Sequence, residues 1–438
     1  MPPSQPHSSE AAGDWFDLII VGAGPAGSAA ALAALQADPG ARVALVDAAA
    51  FPRDKACGDG IAPQALHELA RLGVPDAATG FAPVGQLRLR SPLGREVLAE
   101  PREAAYVIPR TVFDARLVDA ATRAGAVLHK RRIRTLTITA DGVLLAPDLR
   151  GRVVIGADGA NSTVRRLLGL APNPPEHCAV AMRGYASGVP GPPEQLIEMV
   201  AEGWPAYAWS FPIDGPGHQD RANVGFGMLR SSLAARPEAG RAALAGPLAE
   251  LLPDQPADQE SLRAHHLPLS TYRPRQPDGR VLLAGDAASL INPLTGEGIY
   301  YAVLSGRLAG TAAVSPGGAA AGSAYRAMLR RELGLHLATT SLLSRLSRSP
   351  EIFDAGLALA SRDRAAMDAL VEVGLGRGTL PPSLMWRLLR RAVQLGTALG
   401  VRRLVHMAGG KVRLTGGRDP APQAARFLYV RHLLQRRR

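Results

Sequence analysis

The hydrophobic pattern begins with a short apolar run, Phe16 to Val21, that includes Ile19, Ile20 and Val21. A short run of that kind reads as a parallel strand buried on both faces. Residues 25–37 are rich in alanine and leucine and predict a helix. Asp38-Pro39-Gly40 ends it, and Arg42 to Asp47 returns as a second strand, so the chain starts with a βαβ unit. Further apolar strands are predicted at Arg152 to Gly156 and Arg280 to Ala284, with a helix from Thr111 through Ala124. Between these pieces, residues 84–98 and 178–228 alternate apolar with polar positions, the pattern of antiparallel strands in a second sheet. Beyond Gly298 the pattern is helical, with breaks at Ser315-Pro316-Gly317-Gly318 and Leu380-Pro381-Pro382. No internal repeat is visible.

The junction of the first strand and helix is Gly22-Ala23-Gly24-Pro25-Ala26-Gly27. Gly22 permits a tight turn, Gly24 lets the backbone approach a pyrophosphate, and Gly27 lets helix and strand pack closely. Pro25 and Ala26 open the helix, whose free N–H groups and dipole face the phosphates. Asp47 ends the second strand 20 residues after Gly27, where an acid accepts hydrogen bonds from an adenosine ribose. Two more strand ends carry acids, Asp158 in Gly156-Ala157-Asp158-Gly159 and Asp286 in Ala284-Gly285-Asp286. Each can hold a ribityl hydroxyl or orient a nearby loop. The segment Pro293-Leu294-Thr295-Gly296-Glu297-Gly298-Ile299 opens another helix. Gly296 and Gly298 would let backbone N–H groups near Ile299 approach the pyrimidine edge of a flavin, where negative charge develops on reduction. One glycine motif alone implies a dinucleotide; the three in this order imply FAD and redox chemistry.

The expected fold class is therefore α/β with α+β. A Rossmann-like FAD-binding domain is formed discontinuously by residues 14–80, 105–172 and 278–330. An antiparallel substrate-binding sheet from 81–104 and 173–277 interrupts it, and a helical basic region, 331–438, follows. Residues 1–13 lack the basic start and apolar run of a signal peptide and are expected to form a disordered leader. The length of 438 residues suits such an enzyme. The cysteines, Cys57 and Cys178, make no disulfide framework, which fits a reducing cytoplasm. No apolar run is long enough to span a bilayer. The net charge of +12 resides in the tail: from Pro381 onward there are thirteen basic residues and one acid, Asp419. Trp386, Leu388, Leu389, Phe427, Leu428 and Leu433 interleave with them, a mixture that suits either an anionic membrane surface or a solvated helical face. No nucleic-acid partner is expected, since no such fold signature accompanies the charge.

The three motifs resemble those of the FAD-dependent monooxygenase and reductase superfamily with a p-hydroxybenzoate hydroxylase-like fold. Phe51-Pro52-Arg53-Asp54-Lys55-Ala56-Cys57-Gly58-Asp59-Gly60 is similar to the flavin-facing loop of the geranylgeranyl reductase family. Tyr207-Ala208-Trp209-Ser210-Phe211-Pro212, followed by Asn223-Val224-Gly225-Phe226-Gly227, resembles that family's substrate-domain signature. The resemblance runs from about residue 16 to about residue 310 and leaves the C-terminal third uncovered. It implies that Arg53 and Arg110 contact the cofactor, that Gly58 lies in the flavin-facing loop, and that Tyr207 and Trp209 line a prenyl channel.

The residues allow the same chemistry on their own terms. On a strand, Tyr207, Trp209 and Phe211 share one face and form an apolar wall, either for a pocket or for the core. Cys57 follows Arg53 and Lys55, so its thiol could gain thiolate character or donate a proton; alternatively it is a small residue that fits against the flavin ring. No second GxGxxG is present, so reducing equivalents are expected from transiently docked NADPH or a reduced carrier protein. His265-His266 is expected in a loop, without metal-ligand spacing. The leading reading is reduction of C=C bonds in a geranylgeranyl-type chain, with hydride from reduced flavin and a proton from Cys57, Tyr207 or water. The runner-up is an FAD-dependent monooxygenase or epoxidase, with a halogenase as a lesser form lacking its usual Trp-x-Trp-x-Ile-Pro element. A third is a flavoprotein that only carries electrons or binds a lipid. The expected location is cytoplasmic, with peripheral membrane association.

Overall fold

The structure is a computed structural model that describes residues 15–394, apart from 146–147, 189–193, 219, 237, 239 and 316–317. The leader at 1–13 and the tail residues Phe427, Leu428 and Leu433 lie outside the described residues.

A first sheet runs in the order Val127–Lys130, Val43–Asp47, Trp15–Val21, Leu149–Gly156, with Val281–Leu283 beside the last of these. All these neighbours are parallel. Ile19, Ile20, Leu45, Val154 and Leu282 are fully buried, as strands covered on both faces require. The register aligns Val21 with Gly156 and Gly156 with Leu283, so three strands end side by side. That alignment puts the loops after them at the carboxyl edge, where open α/β sheets bind ligands. Val143–Leu145 and Thr137–Ile138 extend the sheet in antiparallel fashion.

The helix Pro25–Ala37 starts with proline at a first-turn position and packs against Ile299–Val314. The contact is backbone against backbone. A Cβ added at Gly306 would come 2.1 Å from the Ala26 oxygen, and one at Gly310 would come 2.1 Å from the Ala30 oxygen.

A second, seven-stranded sheet has the order Arg263–Pro268, Cys178–Ser187, Arg221–Leu229, Ala206–Ile213, Glu194–Val200, Gln86–Arg90, Glu96–Ala99. It departs from the expected antiparallel sheet at one junction, because Glu194–Val200 and Gln86–Arg90 are parallel. Those strands come from separate stretches of chain, so no hairpin dictates their direction. His265 and His266 are not in a loop: they lie on the edge strand Arg263–Pro268, paired with Ala181 and Val180. Backbone pairing with a neighbour fixes that strand, although its own sequence lacks apolar alternation. One face of the sheet is covered by the helix Ala242–Leu251, whose Leu244 and Leu248 pack with Val224, Phe226 and Met228. The other face carries Tyr207, Trp209 and Phe211.

The C-terminal helices are Ala321–Leu346, Pro350–Ala360, Arg364–Leu375 and Pro382–Gln394. Two breaks exceed those expected. Pro350 begins one helix, and the Asp363 side chain caps the next by accepting from Ala366 N. No helix among the described residues is long and apolar enough to cross a membrane.

Gly306→Leu is expected to cost about 3 kcal/mol or more through overpacking against the Ala26 backbone. Gly334, inside the helix Ala321–Leu346, would bring an added Cβ only to 3.5 Å from Arg330 Cγ, an ordinary contact. Gly334→Ala is expected to stabilise the chain by ~0.5–1 kcal/mol through helix propensity. Thermal unfolding of the two variants checks both signs.

Candidate functional site

Gly22 has φ +103°, and a Cβ there would meet the Ala157 oxygen at 2.3 Å. A Cβ on Gly27 would lie 1.8 Å from the Gly22 oxygen. Both positions therefore exclude any side chain. Asp47 holds this loop itself: its carboxylate accepts from Ala23 N and Ala49 N, each at 2.9 Å. Over the loop, two arginines share one acid. Arg53 reaches Asp114 at 3.1 Å, and Arg110 binds the same carboxylate in bidentate form at 2.6 and 2.8 Å. Asp114 is fully buried. Two guanidinium groups around one carboxylate leave net positive charge beside the helix N-terminus, the environment a diphosphate needs. A Cβ on Gly24 would project to 3.3 Å from Arg53 Nη2 and fill this cradle.

Asp158 caps the short helix Thr163–Leu167, accepting from Thr163 N at 2.6 Å, Val164 N at 3.1 Å and Ser162 Oγ at 2.5 Å. Its carboxylate thereby orients the local loop. Asp286 meets Lys55 at 3.3 Å and faces the central cavity. Gly285, in the left-handed region at φ +59°, donates its N–H to Ser305 Oγ at 2.9 Å. Pro293 lies in the loop before Gly298, which is the N-cap of Ile299–Val314.

The cavity holds about 370 Å³ and runs from Pro25, Cys57 and Arg110 past the aromatic strand to the C-terminal helices. Tyr207 and Trp209 have ring centroids 6.0 Å apart, and Trp209 and Phe211 6.5 Å. Trp209 is accommodated because Gly225 has no side chain: a Cβ there would lie 2.1 Å from the indole. Gly58 packs beneath the wall, with Phe211 Cε2 at 3.4 Å and Trp209 Nε1 at 3.5 Å from an added Cβ. Gly296 (φ +74°) makes room for the Tyr207 hydroxyl, which donates to Thr295 O at 2.7 Å.

Behind the wall lies a buried polar network. Asn223 accepts from Trp209 Nε1 at 2.9 Å and donates to Cys57 O and Asp59 Oδ2, both at 2.8 Å. Tyr185 donates its hydroxyl to the same Asp59 oxygen at 2.7 Å. Asp59 has φ +58° and is fully buried, with Oδ1 unpartnered. Burial pushes its carboxyl up from the ordinary 3.8 to about 6, against the bonds from Tyr185 and Asn223. Burial likewise raises the Cys57 thiol, partly offset by Arg110. It raises Glu297 to about 7 and lowers His265 to about 4.

The last element of the site ties it to the helices. Asn292 Nδ2 donates to Val373 O at 2.8 Å and Gly374 O at 3.1 Å, and Thr295 Oγ1 donates to Gly374 O at 2.7 Å.

Pro25, Cys57, Gly58, Arg110, Asp286, Gly296, Gly298 and Ile299 line one cavity together with Tyr207 and Trp209, whereas Gly22, Gly24, Gly27, Asp47, Arg53 and Asp158 do not line it; the residues present fit FAD. A bound FAD would have its diphosphate beside the glycine loop with Arg53 and Arg110, its ring against Cys57 and Gly58, and one edge toward Gly296 to Ile299. Sequence reasoning missed Asp114, Asn223, Asp59 and His265 as site residues. For Asp114 the signal was its i,i+4 spacing from Arg110 on one helix. For Asn223 it was a polar residue in an otherwise apolar strand.

Gly24→Val is expected to purify without flavin, read from visible absorbance against wild type. A carboxyl with a raised pKa keeps its proton in the folded chain after the unfolded chain has released it. For Asp59, stability therefore falls as pH rises from about 4 to about 6 and is level above. In Asp59→Asn that loss is absent. Urea unfolding should show the variant gaining on wild type across this window, with no further gain between pH 7 and 8.

Comparison with known proteins gives concordant findings. The profile of the FAD binding domain family matches residues 16–311. Digeranylgeranylglycerophospholipid reductase 1 of Methanopyrus kandleri is 35% identical over 315 residues, covering 68% of this chain and 80% of the relative. Menaquinone reductase of Mycolicibacterium smegmatis is 33% identical over 382 residues, covering 82% and 90%. A geranylgeranyl bacteriochlorophyll reductase-like protein from Thermoplasma acidophilum shares the fold, with a TM-score of 0.69 at 21% identity, over 90% of this chain and 99% of that one. With its glycine cradle and aromatic-walled cavity, this chain belongs to the FAD binding domain family and is an FAD-dependent oxidoreductase of the geranylgeranyl reductase type.

Proposed function

We propose that the protein reduces carbon–carbon double bonds in the prenyl chain of a hydrophobic lipid or quinone. The observation that carries this reading is the cavity's continuity. It begins at Cys57 and the aromatic strand and continues between Leu343, Phe353, Leu357 and Leu370 of the helices. Only an extended apolar group would exploit that whole length. Relatives named for a digeranylgeranyl lipid and for menaquinone support the substrate class.

Reduced FAD, when bound, would supply the hydride, its two electrons coming from NADPH or a reduced carrier protein. The chain's own residues position the alkene, exclude water and supply the proton. Tyr207, Trp209 and Phe211 would hold the double bond against the ring-facing floor. The Cys57 thiol, kept protonated by burial, is the donor on this reading, and Arg110 stabilises the thiolate left behind. Tyr207 is less suited, because its proton is engaged by Thr295 O and burial pushes its pKa up to about 12. The first sheet with its glycine loops acts as the FAD-binding part and the second sheet as the substrate part. NADPH or a reduced carrier protein would recharge the cofactor from the cytoplasmic side.

Anaerobic photoreduction followed by a geranylgeranyl compound tests the reading. Flavin absorbance should return without oxygen, with a saturated product. A flavin that stays reduced until oxygen is admitted, and then yields an oxygenated product, would overturn it in favour of a monooxygenase. Cys57→Ser is expected to slow the substrate-driven reoxidation about 10²-fold or more, with flavin content unchanged.

A further inference from the structure

The helix Ala321–Leu346 has two apolar faces with different neighbours. On its inner face, Leu343 and Leu346 are buried and line the cavity. On its outer face, Ala324, Ala327, Arg331, Leu335, Ala338, Leu342 and Arg345 are all exposed. Their spacing of three or four residues places them in one stripe along the helix. Leu335 is 57% exposed and Leu342 36%. A water-facing helix ordinarily gives this face to charged and polar residues. One exposed leucine would need no explanation, whereas a stripe of this length marks an interaction surface.

The charge of the stripe narrows the partner. Its charged members are Arg331 and Arg345, and the exposed Arg330 and Arg348 flank it. Arg330, Arg345 and Arg348 enter no ion pair among the described residues. The one acid of this helix, Glu332, lies off the stripe and is engaged by Arg377 and Arg331. A second copy of the chain would set arginine against arginine. Residues 395–438 cannot supply the complement either, since they carry ten Lys and Arg against one acid, Asp419. The fitting partner is extended, accepts leucine side chains and is negatively charged.

We infer that this outer face is where the protein lies on an anionic lipid bilayer. Leu335 and Leu342 enter the boundary between headgroups and acyl chains, and the arginine stems lie along it with their guanidinium groups at the lipid phosphates. Docking there also sets the cavity-lining side of the same helix one helix diameter from the bilayer. That consequence rests on the proposed prenyl substrate; the docking itself does not.

Flotation of the full chain with phosphatidylglycerol-containing vesicles, and with pure phosphatidylcholine vesicles, tests the inference. Wild type is expected to bind the anionic vesicles and to bind neutral ones at least ~10-fold more weakly. Leu335→Ser/Leu342→Ser, with the tail intact, should lose binding ~10-fold or more at unchanged thermal midpoint and flavin content. Arg331→Gln/Arg345→Gln should lose only the preference for anionic vesicles, and with it part of the salt dependence. Binding of the leucine variant equal to wild type would overturn the assignment and leave the tail as the contact. So would no binding of wild type, or a wild-type dimer that the leucine variant dissolves, which would give the face to a second copy. Neither readout uses a prenyl substrate, so failure of the docking surface and failure of the proposed reaction are separable.

Discussion

The site depends on two helices touching through bare backbone. Gly306 and Gly310 on one helix meet Ala26 and Ala30 on the other at a distance that leaves no room for a side chain. One of these helices opens at the glycine loop and the other at Gly298. Their close approach brings together the first and third motifs, which are far apart in sequence, on a single cavity. The parallel register of Trp15–Val21, Leu149–Gly156 and Val281–Leu283 completes the alignment from below. Cofactor recognition is thus a product of small residues at particular contacts, more than of any one polar group.

Charge is then distributed in zones. At the glycine loop, two arginines and one carboxylate leave a positive balance beside a helix N-terminus. Behind the aromatic strand, Asn223 joins the Cys57 loop to Trp209 through one buried and one part-buried bond. Toward the helices the wall becomes aliphatic. Asn223, Trp209, Tyr185 and Asp59 Oδ2 are bonded to one another, which lowers the cost of burying them, whereas Asp59 Oδ1 is unpartnered and Lys55, Arg110, Asp286 and His265 line the cavity itself.

Much of this was legible in sequence. Phe16 to Val21 and Arg42 to Asp47 announced their strands by the apolar runs Leu18 to Val21 and Val43 to Val46, and Tyr207 to Phe211 announced its face by alternation. The glycine loop was legible because its steric demand is local. What was not legible depends on distant contacts. Nothing near Asp114 says that Arg53, from another loop, will share it. His265 lies on a strand whose own residues alternate poorly and whose pairing comes from Cys178–Ser187. The parallel junction of the second sheet involves two segments about a hundred residues apart, and no local pattern encodes that. The breaks at Ser349-Pro350 and Asp363 are ordinary capping signals, overlooked within a long helical pattern.

The anchoring of the loop around Asn292 and Thr295 to the carbonyls of Val373 and Gly374 has a thermodynamic corollary. The loop that closes one edge of the flavin site and the segment that ends the helix Arg364–Leu375 are one mechanical unit. Any coupling that these three hydrogen bonds carry between the two segments is, by reciprocity, equal in free energy in both directions.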